Sequence, residues 1–190
     1  MVGFEGIPYE THPPQLKEYL LVTMGYHVGG FFTHFFSARK NDFLEMALHH
    51  IVAIYLFGGC YLFNVWNVGS IIAFLHDIAD ITTNIVKTFT ETNYTKATAV
   101  VFVTHICIWF YTRNIILPYI IYQVLISEVR IGLPGWGEYI VKPYFAWLLS
   151  MMFLLHCYWF MLFCKMLKKY ASSGSTEDQQ NKTEVEKKKA

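Results

Sequence analysis

Charge is scarce in this chain. Of 190 residues only 15% are Asp, Glu, Lys or Arg, and they nearly cancel to a net charge of +1. That balance leaves no basic stripe of the kind nucleic-acid binding needs, so no nucleic acid is expected as a partner. Cysteine is scarce too. Cys60, Cys107, Cys157 and Cys164 include no C-x-x-C pair, which argues against a disulfide framework and against zinc knuckles. The first fifteen residues contain no Lys or Arg, yet they hold Pro8, Pro13 and Pro14. A secretory signal needs a basic start and an apolar core, and a transit peptide needs arginines, so neither is read there. No internal repeat divides the chain, and its length suits a single domain.

What is present in quantity is apolar surface. The composition is 54% hydrophobic and 18% aromatic, too greasy for a soluble domain of this size. Runs of about 20 apolar residues predict an all-α integral membrane protein. The predicted organisation is an extended N-terminal segment over 1–15, a transmembrane domain over 16–168 and a disordered polar tail over 169–190. About five helices are expected within it. They run from Leu16 to Ser37, Phe43 to Asn64, Val68 to Lys87, Ala97 to Ile126, and from near Tyr139, or just after Pro143, to Leu167. The fourth is long enough that it must tilt or kink, and Pro118 is the natural kink. Five spans leave Arg39, Lys40, Lys87, Lys96, Lys165, Lys168 and Lys169 on one side and Lys17, Arg130 and Lys142 on the other. Seven against three predicts a C-terminus inside.

Ionisable residues stand out against this background. His49 and His50 lie in the second segment; His76, Asp77 and Asp80 lie in the third. A charged side chain at the centre of a membrane helix costs roughly 2.5–3.5 kcal/mol on insertion scales, so the two aspartates must face protein or a wet cavity. His76 and Asp80, at i and i+4, share a helix face, whereas Asp77 sits about 100° round from His76. His27 and His34 lie on one face of the first segment, where they either hydrogen-bond within the bundle or line the same cavity as His49. Arg113, five residues before Pro118, either snorkels to the headgroups or faces that cavity. Three histidines and two aspartates could also ligate zinc or iron, but no H-x-x-H-H box accompanies them, and metal ranks behind the reading below.

The stretch from Arg39 to Lys87 resembles the Lag motif of the ceramide synthases, a branch of the TLC-domain membrane family. The family pattern opens R-K-D-F-x-E, continues into H-H and S-Y-x-x-N-x-x-R-x-G, and closes on H-D-x-S-D. Arg39, Lys40, Asp42, Phe43 and Glu45 match the opening, with Asn41 as one extra residue. His49, His50, Tyr61, Asn64, Gly69, His76, Asp77, Asp80 and Lys87 match the rest, and Thr112–Arg113 match a Thr-Arg pair further on. The pattern departs at Cys60, Asn67, Ala79 and Asn84.

The resemblance implies a partial TLC-type helical barrel and transfer of a fatty acyl group from acyl-coenzyme A to the amine of a sphingoid base. Acyl-coenzyme A would be a co-substrate, and no resident cofactor or metal is implied. His49, His50, His76, Asp77 and Asp80 become the catalytic candidates. Asn64, Tyr61, Arg113, His27 and His34 become the substrate-binding ones. A histidine can exchange protons near neutrality, and an aspartate beside it holds the ring in one tautomer. Which histidine is base or nucleophile does not follow from spacing. The expected partners are membrane lipids, with the long-chain base and acyl-coenzyme A as substrates. The alternative is a non-catalytic TLC subunit of a larger membrane complex. Because the resemblance covers only the later helices of the family's domain, the barrel is expected to be open on one side. Another membrane subunit, a second copy, or tightly held lipids in a smaller rearranged bundle would then cover the open face. Lys187–Lys188–Lys189 before Ala190 resemble a dilysine retrieval signal. They favour the endoplasmic reticulum, with the mitochondrial inner membrane as the alternative.

Overall fold

The computed structural model describes residues 12–92, 94–126 and 137–173, and every element among them is helical. α1 spans Pro14–Phe36, α2 Phe43–Leu62 and α3 Trp66–Thr90. α4 (Thr95–Trp109), a π-helical stretch (Phe110–Ile116) and α5 (Leu117–Ile126) form one continuous rod. A π-helical turn (Gly137–Val141) leads into α6 (Lys142–Ser173). Three of the resulting five rods are long and apolar enough to cross a membrane by length and composition alone: Phe43–Leu62, Lys96–Ile126 and Tyr139–Ser172. The all-α membrane fold expected from composition is therefore what the chain adopts. Residues 1–11 of the expected 1–15 segment, most of the Ser127–Gly137 loop and the tail from 174 onward lie outside the described residues.

Local chemistry explains where the helices break, including places that differ from the sequence reading. α1 begins two residues earlier than expected, because Pro14 occupies its first position, where a missing N–H leaves no bond unmade. Between α2 and α3 the chain reverses through Asn64, at φ 56°, a left-handed conformation that asparagine tolerates better than most residues. Pro118 lies inside α5. The irregularity instead falls just before it, where seven residues take π-helical geometry. Proline offers no N–H to the preceding turn, and the wider i→i+5 register is a known way for a helix to absorb such a defect. α6 continues to Ser173, so the first residues of the expected tail are helical.

The rods touch in the cyclic order α1, α3, α4, α6, α2 and back to α1, with α2 and α3 also in contact across the ring. Among the described residues the rods close on one another, rather than leaving the open side expected of a partial barrel. Two apolar clusters fill it. One is built on Leu56, Phe57, Ile72, Leu117, Leu148 and Met152, the other on Ala79, Trp109, Trp159 and Phe163. His76 lies between Ala73 of the first cluster and Ala79 of the second. Arg113 likewise lies between Leu117 and Trp109, and His156 between Met152 and Trp159. A polar layer is thus sandwiched between two greasy ones. Large apolar side chains such as Val22, Leu44, Leu62 and Leu154 cover the outside.

Close packing near the α2–α3 turn depends on Gly69. A Cβ there would stand 2.8 Å from Cys60 Cβ and 3.1 Å from Leu20 Cδ2, inside a core that is already full. Gly69→Ala is expected to destabilise the bundle by about 1–3 kcal/mol, read as a lower thermal midpoint in detergent. An unchanged midpoint would mean that α2 and α3 do not approach this closely.

Candidate functional site

Five rods converge on one cavity of about 190 Å³. Tyr26 and His27 reach it from α1, and Asp42, Met46, His49 and His50 from α2 and its N-terminal cap. Asp80, Thr83, Asn84 and Lys87 come from α3; Trp109 and Arg113 from the α4–π–α5 rod; His156, Trp159 and Phe163 from α6. The helix phases account for this. α3 turns His76 and Asp80 toward the interior, and the π-helical register places Thr112 and Arg113 in buried positions.

Arg113 is the hub of the polar layer and is only 1% exposed. Its Nη1 donates to His156 Nε2 at 3.2 Å, and its Nη2 donates to the His76 carbonyl at 3.2 Å. The same Nη2 pairs with Asp80 Oδ1 at 3.8 Å, and the guanidinium lies 5.3 Å from the Trp109 ring centre. A full positive charge at this depth is tolerable only with such partners. Asp80 has 46% of its side chain accessible and lines the cavity, so the pair has one buried and one cavity-facing member.

The hydrogen bonds also fix ring tautomers. A guanidinium only donates, so His156 presents a lone pair at Nε2 and its ring proton sits on Nδ1. His76 Nδ1 donates to the Ile72 carbonyl at 2.8 Å, leaving its own lone pair on Nε2. The two Nε2 atoms stand 3.3 Å apart, each as an acceptor. His49 lies among these rings, 5.8 Å from His156 and 6.0 Å from His76 between centroids, and its Nδ1 has no hydrogen-bond partner.

The sequence candidates separate into groups. His27, His49, His50, Asp80 and Arg113 line the cavity. His76 is buried behind it, against Arg113 and His156. Asp77 does not line it. It faces α1, where Tyr19 donates its hydroxyl to the Asp77 carboxylate. His34 is an interhelical tie, with its Nε2 donating to the Phe43 carbonyl at 2.8 Å. Tyr61 and Asn64 sit at the far end of α2. There Tyr61 stacks on Trp66 and the Asn64 carbonyl accepts from His12, so neither reaches the cavity.

The sequence reading missed His156, which is fully buried, and Trp159, whose indole N–H donates to Asp42 at 3.4 Å. Burial pushes the Asp42 carboxyl above its ordinary value, and the Trp159 bond and the Lys40 charge partly offset this. His105 was missed as well; it is buried and donates from Nδ1 to Thr82, whose own proton goes to the Ala79 carbonyl. The signal was available. His105 and His156 are each an ionisable residue inside a long apolar run, the rule that singled out His49 and His76, whereas Trp159 carries no such mark.

The TLC domain family matches residues 3–165. The chain belongs to the TLC domain family. Mouse ceramide synthase 4 is 30% identical over 92% of the chain and 44% of its own length. Human ceramide synthase 4 is 28% identical, covering 90% and 42% respectively. The Caenorhabditis elegans ceramide synthase hyl-1 is 23% identical, covering 91% and 50%. The chain thus spans about half the length of the curated relatives it matches. No solved structure matches it. This TLC chain therefore combines a ceramide-synthase-like sequence with a closed bundle of five rods around a His–Asp–Arg cavity.

Proposed function

We propose that this TLC chain is an acyl-coenzyme A-dependent N-acyltransferase acting on a long-chain amine. The observation that supports the reading best is the meeting of His49, His50 and Asp80 in one cavity backed by Arg113. In the net reaction the ammonium nitrogen forms a bond to the acyl carbon, the carbon–sulfur bond breaks, and the nitrogen gives up two protons. One goes to the departing sulfur, so coenzyme A leaves as a thiol, and the other is released. His49 or His50 takes the proton from the ammonium or attacks the thioester. Asp80, held by Arg113, presents a carboxylate to the ammonium. His76 and His156 position Arg113, and through it Asp80. A cavity of about 190 Å³ is below the roughly 300–1,000 Å³ of ordinary ligand pockets. It accommodates the reacting ends of the substrates, and their chains lie elsewhere.

An assay with purified chain, long-chain amine and acyl-coenzyme A in detergent or vesicles tests this. His50→Ala or Asp80→Ala is expected to lower turnover by about 10²–10⁴-fold, the usual weight of an acid–base group, with membrane insertion unchanged. Wild-type-like turnover in both variants would rule the assignment out. One observation favours a second reading, a structural or lipid-binding subunit: Asp77, His76 and Arg113 are all engaged in ties between helices. Stable co-purification with other membrane proteins and no turnover would select it. For either reading we place the chain in the endoplasmic reticulum membrane, with the mitochondrial inner membrane as the alternative.

A further inference from the structure

Beside the cavity runs a second space that the proposed chemistry leaves unused. It is an open groove of about 520 Å³ along α1, walled by Gly25, Gly29, Thr33, His34 and Ser37, with His50 between groove and cavity. From the geometry we infer that this groove seats the single alkyl chain of a membrane-resident long-chain amino alcohol, with its amine end at His50. The inference rests on the transferase reading and names where one of its two substrates lies.

Three observations carry it. First, the spaces are continuous in their walls, since Tyr26 and His50 line both. A molecule too long for the cavity can pass its head to His50 and keep its tail in the groove. Second, the tail has room, because a Cβ on Gly25 or Gly29 would meet nothing within 4 Å. Third, the polar end is made of acceptors. Thr33 gives its hydroxyl proton to the Gly29 and Gly30 carbonyls, Ser37 gives its proton to Thr33, and His34 donates from Nε2 to Phe43. What these residues have left for a ligand is lone pairs, and among the described residues no Lys or Arg lines the groove. Such a surface matches an ammonium and hydroxyl groups, which donate. It gives no counter-charge to the phosphates of coenzyme A.

The test uses the full chain in membranes and two photoreactive probes: a long-chain amino alcohol with a diazirine in its tail, and an acyl-coenzyme A with a diazirine in its acyl chain. The amine probe is expected to label the Gly25–Thr33 stretch of α1, and the acyl probe to label elsewhere. Gly29→Leu fits the open space, so the fold survives. It should cut amine labelling at least fivefold and raise the amine KM about tenfold, with the acyl-coenzyme A KM unchanged. Amine labelling of α1 that Gly29→Leu does not reduce would overturn the inference. So would preferential labelling of α1 by the acyl probe, or quantitative intermolecular disulfide formation by Gly25→Cys, which would mean a second copy covers the groove. Labelling is read without turnover. A chain that labels as expected but transfers nothing keeps the groove and loses the transferase reading, whereas active enzyme with unlabelled α1 does the reverse.

Discussion

Arg113→Met is expected to be the most destabilising single substitution in the bundle. Methionine fills much of the same space but removes the donors to His156 Nε2 and to the His76 carbonyl, and it leaves Asp80 without its cation. Breaking a buried pair from one side costs about 3–5 kcal/mol. Asp80 lines a cavity that water can enter, so a value near 3 kcal/mol is expected rather than the upper end. In detergent this is a fall in midpoint on the order of 10 °C, taking roughly 2–4 °C per kcal/mol for a chain of this length. Adding Asp80→Asn to Arg113→Met should recover part of the loss, because the orphaned carboxylate is then gone. Arg113→Lys should not recover it, since an ammonium on a flexible stem cannot reproduce the fixed fork that spans three partners. An Arg113→Met protein that melts with the wild type would show that Arg113 is not buried among these groups.

How much of this was legible beforehand depends on the kind of information. Apolar runs and charge scarcity were enough for an all-α membrane protein, because spanning a bilayer leaves the backbone few options. The Lag-type pattern singled out His49, His50 and Asp80, which do meet in the cavity. It did not distinguish them from Asp77, one of the catalytic candidates, which faces Tyr19 instead. Helix phase placed Asp77 about 100° from His76, but phase alone does not say which neighbour stands on each side. His156 escaped because it belongs to no motif in the stretch from Arg39 to Lys87, although a histidine between Leu155 and Cys157 in an apolar run is itself a signal. Tyr61, at the end of α2, and Asn64, in the turn after it, follow His49 and His50 in the matching pattern but stand well over two helical turns away, so membership of one motif did not mean membership of one cavity. The closed ring was not legible either. It depends on how α4 meets α6 and α1 meets α3, contacts between segments distant in sequence.

Gly30→Ala should separate the site from the fold. A Cβ at Gly30 would lie 2.7 Å from His50 Cε1, 3.2 Å from Nε2 and 3.3 Å from Nδ1, so the missing side chain is what gives the His50 ring its place. The clash is with the end of a side chain that can rotate, not with backbone, and alanine is the better helix former by about 1 kcal/mol. Stability should therefore change little, while the ring swings away from His27 Nδ1, 3.4 Å from its own Nδ1, and out of its position in the cavity wall. A displacement of about 1 Å at a reacting group can cost on the order of 10²-fold. The expected result is turnover near that of His50→Ala, with a midpoint within about 1 kcal/mol of wild type. Gly30→Ala combined with His50→Ala should lose little more than His50→Ala alone, because both changes remove the same positioned ring. Gly58→Ala is the control: its Cβ would meet only the Met24 sulfur, at an ordinary 3.8 Å, and activity should persist. If Gly30→Ala keeps full turnover while His50→Ala loses it, His50 acts from a ring position other than the one that packs against Gly30.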